Sequence, residues 1–177
     1  MKLCCVLSCP RRSSCFVPPV DNLSTHLYSC VVIPGFESGT GNLPPGEHPA
    51  TWDEIVERFG TSDWRKELLA GLKAALLSLR EAGCNRVYLD GSFVTAKERP
   101  GDFDGCWDTG GVDFDRVDEV LLTFDQGRTV QKAKYRGELF LADGQAEPEG
   151  TVFREFFQRD RDGNSKGIIV IDLRDIK

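Results

Sequence analysis

Residues 87–108 constrain this chain more than any other part of its sequence. They read as a short apolar strand, then Gly91-Ser92, then nine further residues, and then Asp102-Phe103-Asp104. Side chains on a strand alternate between its two faces, so Asp102 and Asp104 should project side by side if both lie on one strand. Two neighbouring carboxylates repel each other unless a cation lies between them. The spacing therefore predicts a pair of oxygen ligands for a hard divalent ion.

Gly91 and Ser92 follow the apolar strand at a place where a phosphate group could bind. A glycine lets backbone N–H groups approach a ligand closely, and the serine adds a hydroxyl. We therefore predict that these two residues contact a triphosphate. A tight turn that merely needs small residues is the alternative interpretation.

Together, Gly91-Ser92, the nine-residue spacer and Asp102-x-Asp104 resemble the signature of the DNA polymerase beta-like nucleotidyltransferase superfamily. More closely, the chain resembles an uncharacterised bacterial family of small nucleotidyltransferase-like proteins over most of its length after residue 30. The resembling segments are residues 41–46, 59–60, 91–97, 131–135 and 171–173. A long predicted helix and a strand before Gly91-Ser92 agree with this resemblance.

The resemblance implies an α+β fold, the minimal nucleotidyltransferase fold, with a mixed sheet and helices mainly on one face. It also implies metal-dependent transfer of a nucleoside monophosphate from an NTP, such as ATP, to a hydroxyl of an acceptor. Mg²⁺ is the expected ion and Mn²⁺ the alternative. The acceptor stays open between a protein, an RNA and a small molecule. Some small relatives in the superfamily modify a partner protein or tRNA and occur in toxin–antitoxin pairs.

Such sites in the superfamily usually hold a third carboxylate on a neighbouring strand, and Asp172 is the first candidate. It interrupts the apolar run 168–173, where an unpaired charge would be costly. We expect Asp102, Asp104 and Asp172 to bind the metal, and Asp172 to help orient or deprotonate the acceptor. An ion pair between Asp172 and Arg174 is an equally weighted alternative.

Three other acidic residues lie near the motif or on a candidate strand. Glu138 is the fallback for the third carboxylate. Asp90 and Asp108 flank the two motif strands, but the alternation of strand faces makes them weaker candidates for metal ligands.

The basic residues that we expect beside the phosphates are Lys97, Lys132 and Lys134. Many members of the resembling family carry an arginine a few residues after the serine, whereas Lys97 is the basic residue at that distance here. Lys132 and Lys134 form a local cationic cluster in an acidic part of the chain, although a solvated helix face is the alternative. The missing arginine supports a second hypothesis, a catalytically inactive module that binds a partner protein or a nucleotide.

Composition limits the chain to one globular domain with a sizeable core. Of its 177 residues, 40% are hydrophobic and 28% are charged, which is ordinary for a globular protein. The net charge of −6 argues against a broad basic surface for duplex nucleic acid, but not against a nucleotide in a local cationic pocket. No apolar run approaches the roughly 20 residues that cross a bilayer, so we expect a cytoplasmic protein without membrane contact.

Residues 1–30 differ from the rest of the chain, because they hold five of its seven cysteines. The part of the sequence that resembles the family begins near Val31. We therefore expect a disordered or mis-annotated leader over residues 1–30 and a single domain over residues 31–177. The leader's apolar run is too short for a signal peptide. Outside it, Cys84 and Cys106 should be buried small side chains without a disulfide.

Hydrophobic periodicity predicts the main elements of the domain. Leucines at three- and four-residue spacings predict a long helix over residues 62–82, and Thr51 with Glu54 predicts a capping box before a shorter helix. We also predict a helix over residues 112–122 and a buried strand over residues 168–173.

Overall fold

The computed structural model describes residues 33–124 and 126–177, and the leader expected over residues 1–30 lies outside them. Its centre is a five-stranded mixed sheet. The strands are β1 (Gly46–Pro49), β2 (Arg86–Asp90), β3 (Phe103–Trp107), β4 (Gly137–Leu141) and β5 (Gly167–Asp172), in the order β1-β5-β2-β3-β4. Strands β1 and β5 run parallel, as do β3 and β4, whereas β2 is antiparallel to both of its neighbours.

Four α-helices accompany the sheet in the described ranges. They are α1 (Trp52–Phe59), α2 (Asp63–Glu81), α3 (Thr129–Tyr135) and α4 (Phe153–Phe156). The predicted capping box is present, because the Thr51 hydroxyl accepts from the Glu54 backbone N–H while Oε2 of Glu54 accepts from the Thr51 N–H. Helix α2 begins after Ser62, whose hydroxyl accepts from the N–H of Arg65 at 3.3 Å. The predictions for both helices are confirmed.

The two faces of the sheet are unequally covered. Helices α1, α2 and α3 pack on one face, where they share a large apolar core with Val87, Leu89 and Trp107. Tyr88 and Cys106 point to the opposite face, here called the second face, which holds a smaller core that includes residues of α4. The expected α+β class, with a mixed sheet and helices mainly on one face, is confirmed.

The helix predicted over residues 112–122 is wrong. Two short 3₁₀ segments, Phe114–Arg116 and Glu119–Leu122, occupy this range instead. Asp113 and Asp118 each accept a hydrogen bond from the backbone N–H two residues later, at 3.2 and 3.0 Å. Both aspartates cap the start of a 3₁₀ segment, and such local side-chain bonds compete with a continuous helical backbone, so the range is divided into two short segments.

The two cysteines outside the leader and the search for a membrane-spanning helix concern the described part of the chain. Cys84 and Cys106 are buried free thiols, as expected. Over residues 33–124 and 126–177, no helix combines the length and apolar character needed to cross a membrane.

Candidate metal and nucleotide site

Three carboxylates meet at one end of the second face. Oxygen atoms of Asp102, Asp104 and Glu138 lie within 4.8 Å of one another. Asp104 is on the same face of β3 as Cys106, and Asp102 immediately precedes this strand. Parallel pairing places Glu138 of β4 opposite Asp104. The structure therefore brings the predicted Asp102–Asp104 pair together and adds Glu138, the fallback, as its third member.

Asp172 does not join this cluster, which corrects the first choice for the third carboxylate. It pairs in register with Arg86, at the other end of β2 from Asp90. Four residues of strand separate these positions, which is roughly 13 Å. Asp172 instead accepts from the Arg174 side chain at 2.9 Å, and this contact lowers the pKa of its carboxyl group. The alternative of a local ion pair with Arg174 describes Asp172 in the structure.

The carboxyl group of Asp104 has a strongly raised pKa. Burial raises its pKa to about 7, and the negative charges of Asp102 and Glu138 and a hydrogen bond with Glu138 act in the same direction. Desolvation and like charges both disfavour the ionised form. A cation bound between these carboxylates would oppose both effects, so the cluster favours positive charge.

Lys132 already brings one positive charge to the cluster. Its Nζ lies 2.9 Å from Oδ2 of Asp102 and 3.3 Å from Oε1 of Glu138. The hydrogen bond to Asp102 is the main reason that the pKa of Lys132 is raised. Lys134 points elsewhere and forms an ion pair with Asp118. Residues two apart on a helix face different directions, so only one of the two predicted lysines reaches the carboxylates.

Gly91 lies against the carboxylate cluster. Its φ of 77° is in the region that favours glycine, and a Cβ atom there would lie 1.9 Å from Oδ2 of Asp104. A glycine is therefore required both by the backbone conformation and by the close approach of Asp104. Ser92 follows at the start of a 3₁₀ turn, Ser92–Val94, so it is the next residue in the chain after the glycine that touches Asp104.

Arg65 of α2 holds the loop after Ser92 in place, a role that sequence reasoning missed. This arginine is only 4% exposed, and its guanidinium donates to the backbone carbonyls of Phe93, Thr95 and Lys97 at 2.9, 3.3 and 2.7 Å. Two more carbonyls accept at 3.4 Å. The Lys97 side chain is exposed. The loop thus has a fixed backbone, and Lys97 projects from it into solvent.

A second ion pair, between Asp90 and Lys166, lies beside the cluster. Asp90 is 3% exposed, pairs directly with Asp104 across β2 and β3, and receives the Lys166 ammonium at 2.8 Å. Burial raises the pKa of the Asp90 carboxyl group, while Lys166 opposes that shift. Directly opposed residues share a face. Asp90 thus lies on the same face as Asp104, and strand alternation does not separate them. Asp90 nevertheless stays outside the group formed by Asp102, Asp104 and Glu138, and its partner is Lys166.

A pocket of about 450 Å³ opens elsewhere on the protein surface. Its lining includes Tyr88, Asp108, Asp143 and Arg154, and Arg154 lies over the Tyr88 ring at 4.6 Å. None of the lining residues belongs to the carboxylate cluster. The chemistry available at Asp102, Asp104 and Glu138 therefore depends on their own geometry and not on this pocket.

Comparisons with known proteins give a family but no described relative. No curated protein matches the chain, and no solved structure does. A model described as "Family of unknown function (DUF6932)" matches residues 34–172, a range that includes all five strands and every member of the carboxylate cluster. The chain therefore belongs to DUF6932, a family of unknown function.

Proposed function

We propose that this protein transfers a nucleoside monophosphate from an NTP to a hydroxyl group of an acceptor, with a divalent ion bound by Asp102, Asp104 and Glu138. One observation carries the proposal: three carboxylates converge directly beside Gly91-Ser92. The sequence pattern that resembles the polymerase beta superfamily supplies two of them. The minimal nucleotidyltransferase fold is part of the same proposal.

The three carboxylates fit a hard divalent ion such as Mg²⁺ or Mn²⁺. Such ions prefer oxygen ligands, and the raised pKa of Asp104 reflects its burial together with the negative charges of Asp102 and Glu138. When bound, the ion would stabilise charge on the phosphates and lower the pKa of the attacking hydroxyl. Ionisation of Asp104 is then a precondition for full coordination, because its protonated form offers fewer acceptor sites.

Gly91, Ser92 and Lys132 would hold the triphosphate. The Ser92 hydroxyl and the backbone N–H groups after Gly91 are donors at the edge of the cluster. Lys132, 39% exposed in its side chain, could exchange its carboxylate partners for a phosphate once a metal ion neutralises Asp102 and Glu138. Lys97 projects from the loop held by Arg65 and remains available for a more distant phosphate.

The proposed reaction is a single displacement at the α-phosphorus. The acceptor oxygen forms a bond to this phosphorus, the bond between the α-phosphorus and the bridging oxygen to the β-phosphate breaks, and pyrophosphate leaves. The acceptor proton passes to a carboxylate of the cluster or to solvent. The acceptor class is a protein, an RNA such as tRNA, or a small molecule, and a cytoplasmic location belongs to the same proposal.

The position of Lys132 supports a second candidate function, a module that binds a partner protein or a nucleotide without catalysis. An ammonium group 2.9 Å from Asp102 and 3.3 Å from Glu138 occupies the position where a metal ion would neutralise these carboxylates. If Lys132 stayed there permanently, the fold would keep its charge balance but lose its chemistry. The two candidates differ in whether Mg²⁺ displaces this lysine.

The test is magnesium-dependent release of pyrophosphate from each of the four NTPs by the full chain, with host-cell lysate supplied as acceptor. We expect release that the Asp102→Asn/Asp104→Asn variant abolishes, and transfer of label from the α-phosphate to one acceptor. Asp172→Asn is the matched control, since it removes a carboxylate from the same face but outside the cluster. Full release by the double variant would exclude the proposed mechanism. NTP binding without release would favour the non-catalytic module.

A further inference from the structure

A cation and two aromatic rings lie next to the carboxylate cluster. The Phe124 side chain is 44% exposed, and its ring stacks on that of Phe140 with centroids 6.5 Å apart and planes at 21°. The Arg128 guanidinium lies 5.6 Å from the Phe124 centroid and 4.9 Å from that of Phe140. Here Phe124, Arg128 and Phe140 are called the aromatic platform. It combines a partly exposed phenylalanine ring with a cation that lies over both rings.

A buried glutamine fastens this platform to the sheet. Gln131 is 0% exposed, and its amide donates to the Thr123 carbonyl at 3.3 Å while its Oε1 accepts from the Leu139 N–H at 2.9 Å. Its side chain thus ties the residue before Phe124 to the residue before Phe140. A buried amide bonded at both ends is a specific constraint, because leaving either end unpaired would be costly.

The inner ring of the platform is fixed from its other side as well. Phe153 stacks on Phe140 with ring centroids 4.1 Å apart. Arg128 has a left-handed backbone conformation, φ 53°, which is unfavourable for a residue other than glycine. Phe140 is therefore held by ring contacts with Phe124 and Phe153, while the Phe124 ring remains partly exposed.

The distance from the platform to the carboxylates suits one nucleoside. Glu138 and Phe140 are two residues apart on β4 and point to the same face, which separates their Cα atoms by about 7 Å. A ligand whose phosphates bind at the metal ligands could therefore extend a planar group to Phe140 and to the Phe124 ring that stacks on it. A nucleotide has these two parts joined by a ribose.

We propose that the aromatic platform binds the nucleobase of the NTP by stacking on Phe124, with the Arg128 guanidinium beside the same rings. This inference rests on the proposed function, and it adds the place and the manner of base binding. Every nucleobase has a π-face, so stacking alone tolerates all four bases. The site therefore accepts NTPs broadly, with tighter binding of purines because their larger rings cover more of Phe124.

Phe114 provides a matched control on another surface of the molecule. Its side chain is also 44% exposed, but it contacts Trp107, which belongs to the large core on the helix-covered face. Replacement of Phe114 removes an exposed ring of equal size without touching the platform. Phe124→Leu keeps an apolar side chain at the platform but removes the π-face, and Phe124→Trp enlarges it.

The experiment measures binding of ATP, GTP, CTP, UTP and inorganic tripolyphosphate to the full chain in the presence of magnesium. Wild type, Phe124→Leu, Phe124→Trp, Phe114→Leu and Asp102→Asn/Asp104→Asn are compared by calorimetry. We expect Phe124→Leu to weaken ATP binding about tenfold while tripolyphosphate binding is unchanged. Phe124→Trp should retain ATP binding and show quenching of its added tryptophan fluorescence, and Phe114→Leu should behave as wild type.

The outcomes separate this inference from the proposed function. If ATP binds no more tightly than tripolyphosphate, and Phe124→Leu has no effect, the base does not contact the platform and the inference is overturned, while the metal site is untouched. If Phe124→Leu weakens ATP binding but the Asp102→Asn/Asp104→Asn variant binds normally, the platform is supported and the metal-dependent function fails. If neither NTPs nor tripolyphosphate bind wild type, both proposals fall.

Discussion

Two groups of charged side chains lie next to each other on the second face, and they are balanced differently. Asp90 is matched by one ammonium group, that of Lys166, and both partners are largely buried. In the cluster of Asp102, Asp104 and Glu138, the Lys132 ammonium pairs with Asp102 and Glu138 at a more exposed place, and Asp104 is not part of either ion pair. We call Asp90 and Lys166 the balanced pair, because each buried charge has one partner and the pair stabilises the fold. We call Asp102, Asp104 and Glu138 the surplus group, because their negative charges outnumber the ammonium group beside them and can bind a further cation.

Breaking the balanced pair should have the largest effect on stability. Lys166→Met leaves the buried Asp90 without its ammonium partner, and removal of one partner of a buried ion pair costs about 3 kcal/mol. We expect urea unfolding at pH 7 to show a loss of this size. Lys66→Met is the control, because the Lys66–Asp63 pair is exposed and its loss should cost less than about 0.5 kcal/mol.

The double variant Asp90→Asn/Lys166→Met sharpens this result. Removing both charges relieves the uncompensated carboxylate, so it should recover a large part of the stability that Lys166→Met loses. Equal losses in the single and the double variants would show that Lys166 stabilises the fold through packing of its side chain and not through the pair.

The surplus group should instead make the protein less stable as the pH rises. The Asp104 carboxyl ionises near its ordinary pKa when unfolded but only near pH 7 when folded. Between about pH 4 and pH 7 the folded state holds a proton that the unfolded state has lost, so stability falls across this window. Asp104→Asn cannot lose a proton, and we expect it to be about 2 kcal/mol more stable than wild type at pH 8.

Urea unfolding in EDTA at pH 4 and pH 8 tests this expectation. Wild type and Asp104→Asn should have similar stability at pH 4 and differ at pH 8. Added magnesium at pH 8 should stabilise wild type more than the variant, because the ion compensates the ionised carboxylate. A difference that is independent of pH would mean that the asparagine acts through a new contact and not through the missing charge.

The spacing of residues along the chain predicted that Gly91, Asp102 and Asp104 lie together, whereas the position of Glu138 depends on the register between two strands. Gly91, Asp102 and Asp104 lie within 14 residues, so the sequence order nearly fixes their proximity. Glu138 reaches Asp104 only because β3 and β4 pair in parallel with these two residues opposite each other. No periodicity in one chain indicates such a register, and Glu138 could be named only as a fallback.

Strand direction explains the error over Asp172. Its place in an apolar strand was predicted correctly, and β5 is indeed next to β2. However, β5 runs antiparallel to β2, so its last residue lies beside Arg86, where β2 begins, and not beside Asp90.

Arg65 was missed for a different reason. The leucine pattern of α2 indicates packing, and an arginine that binds backbone carbonyls of a distant loop has no signature in the local sequence.

Replacing Lys132 tests whether a metal ion competes with it. In Lys132→Met the carboxylates lose their resident ammonium, so Mn²⁺ or Mg²⁺ should bind about tenfold more tightly if the ion takes the same place. Lys134→Met is the control, since Lys134 pairs with Asp118 on another side of α3. Calorimetric titration with each ion measures the change. Equal affinities in wild type and Lys132→Met would argue against a shared position.

The smallest effect should come from Asp172→Asn. Asp172 and Arg174 form an ion pair near the surface, with side chains 34% and 71% exposed, and such pairs contribute less than about 1 kcal/mol. Asparagine can still accept the hydrogen bond that the Asp172 carboxylate receives from the Arg174 N–H. The pKa of Asp172 is lowered, so the pair stabilises the fold at neutral pH and loses this contribution as the pH falls.

For Asp172→Asn we expect the free energy of unfolding to fall by less than about 0.5 kcal/mol at pH 7 and the affinity for Mn²⁺ to be unchanged. A clear loss of Mn²⁺ affinity would instead show that the strand carboxylate reaches the cluster through a rearrangement of β5, and the distinction between a surplus group and a locally paired aspartate would fail.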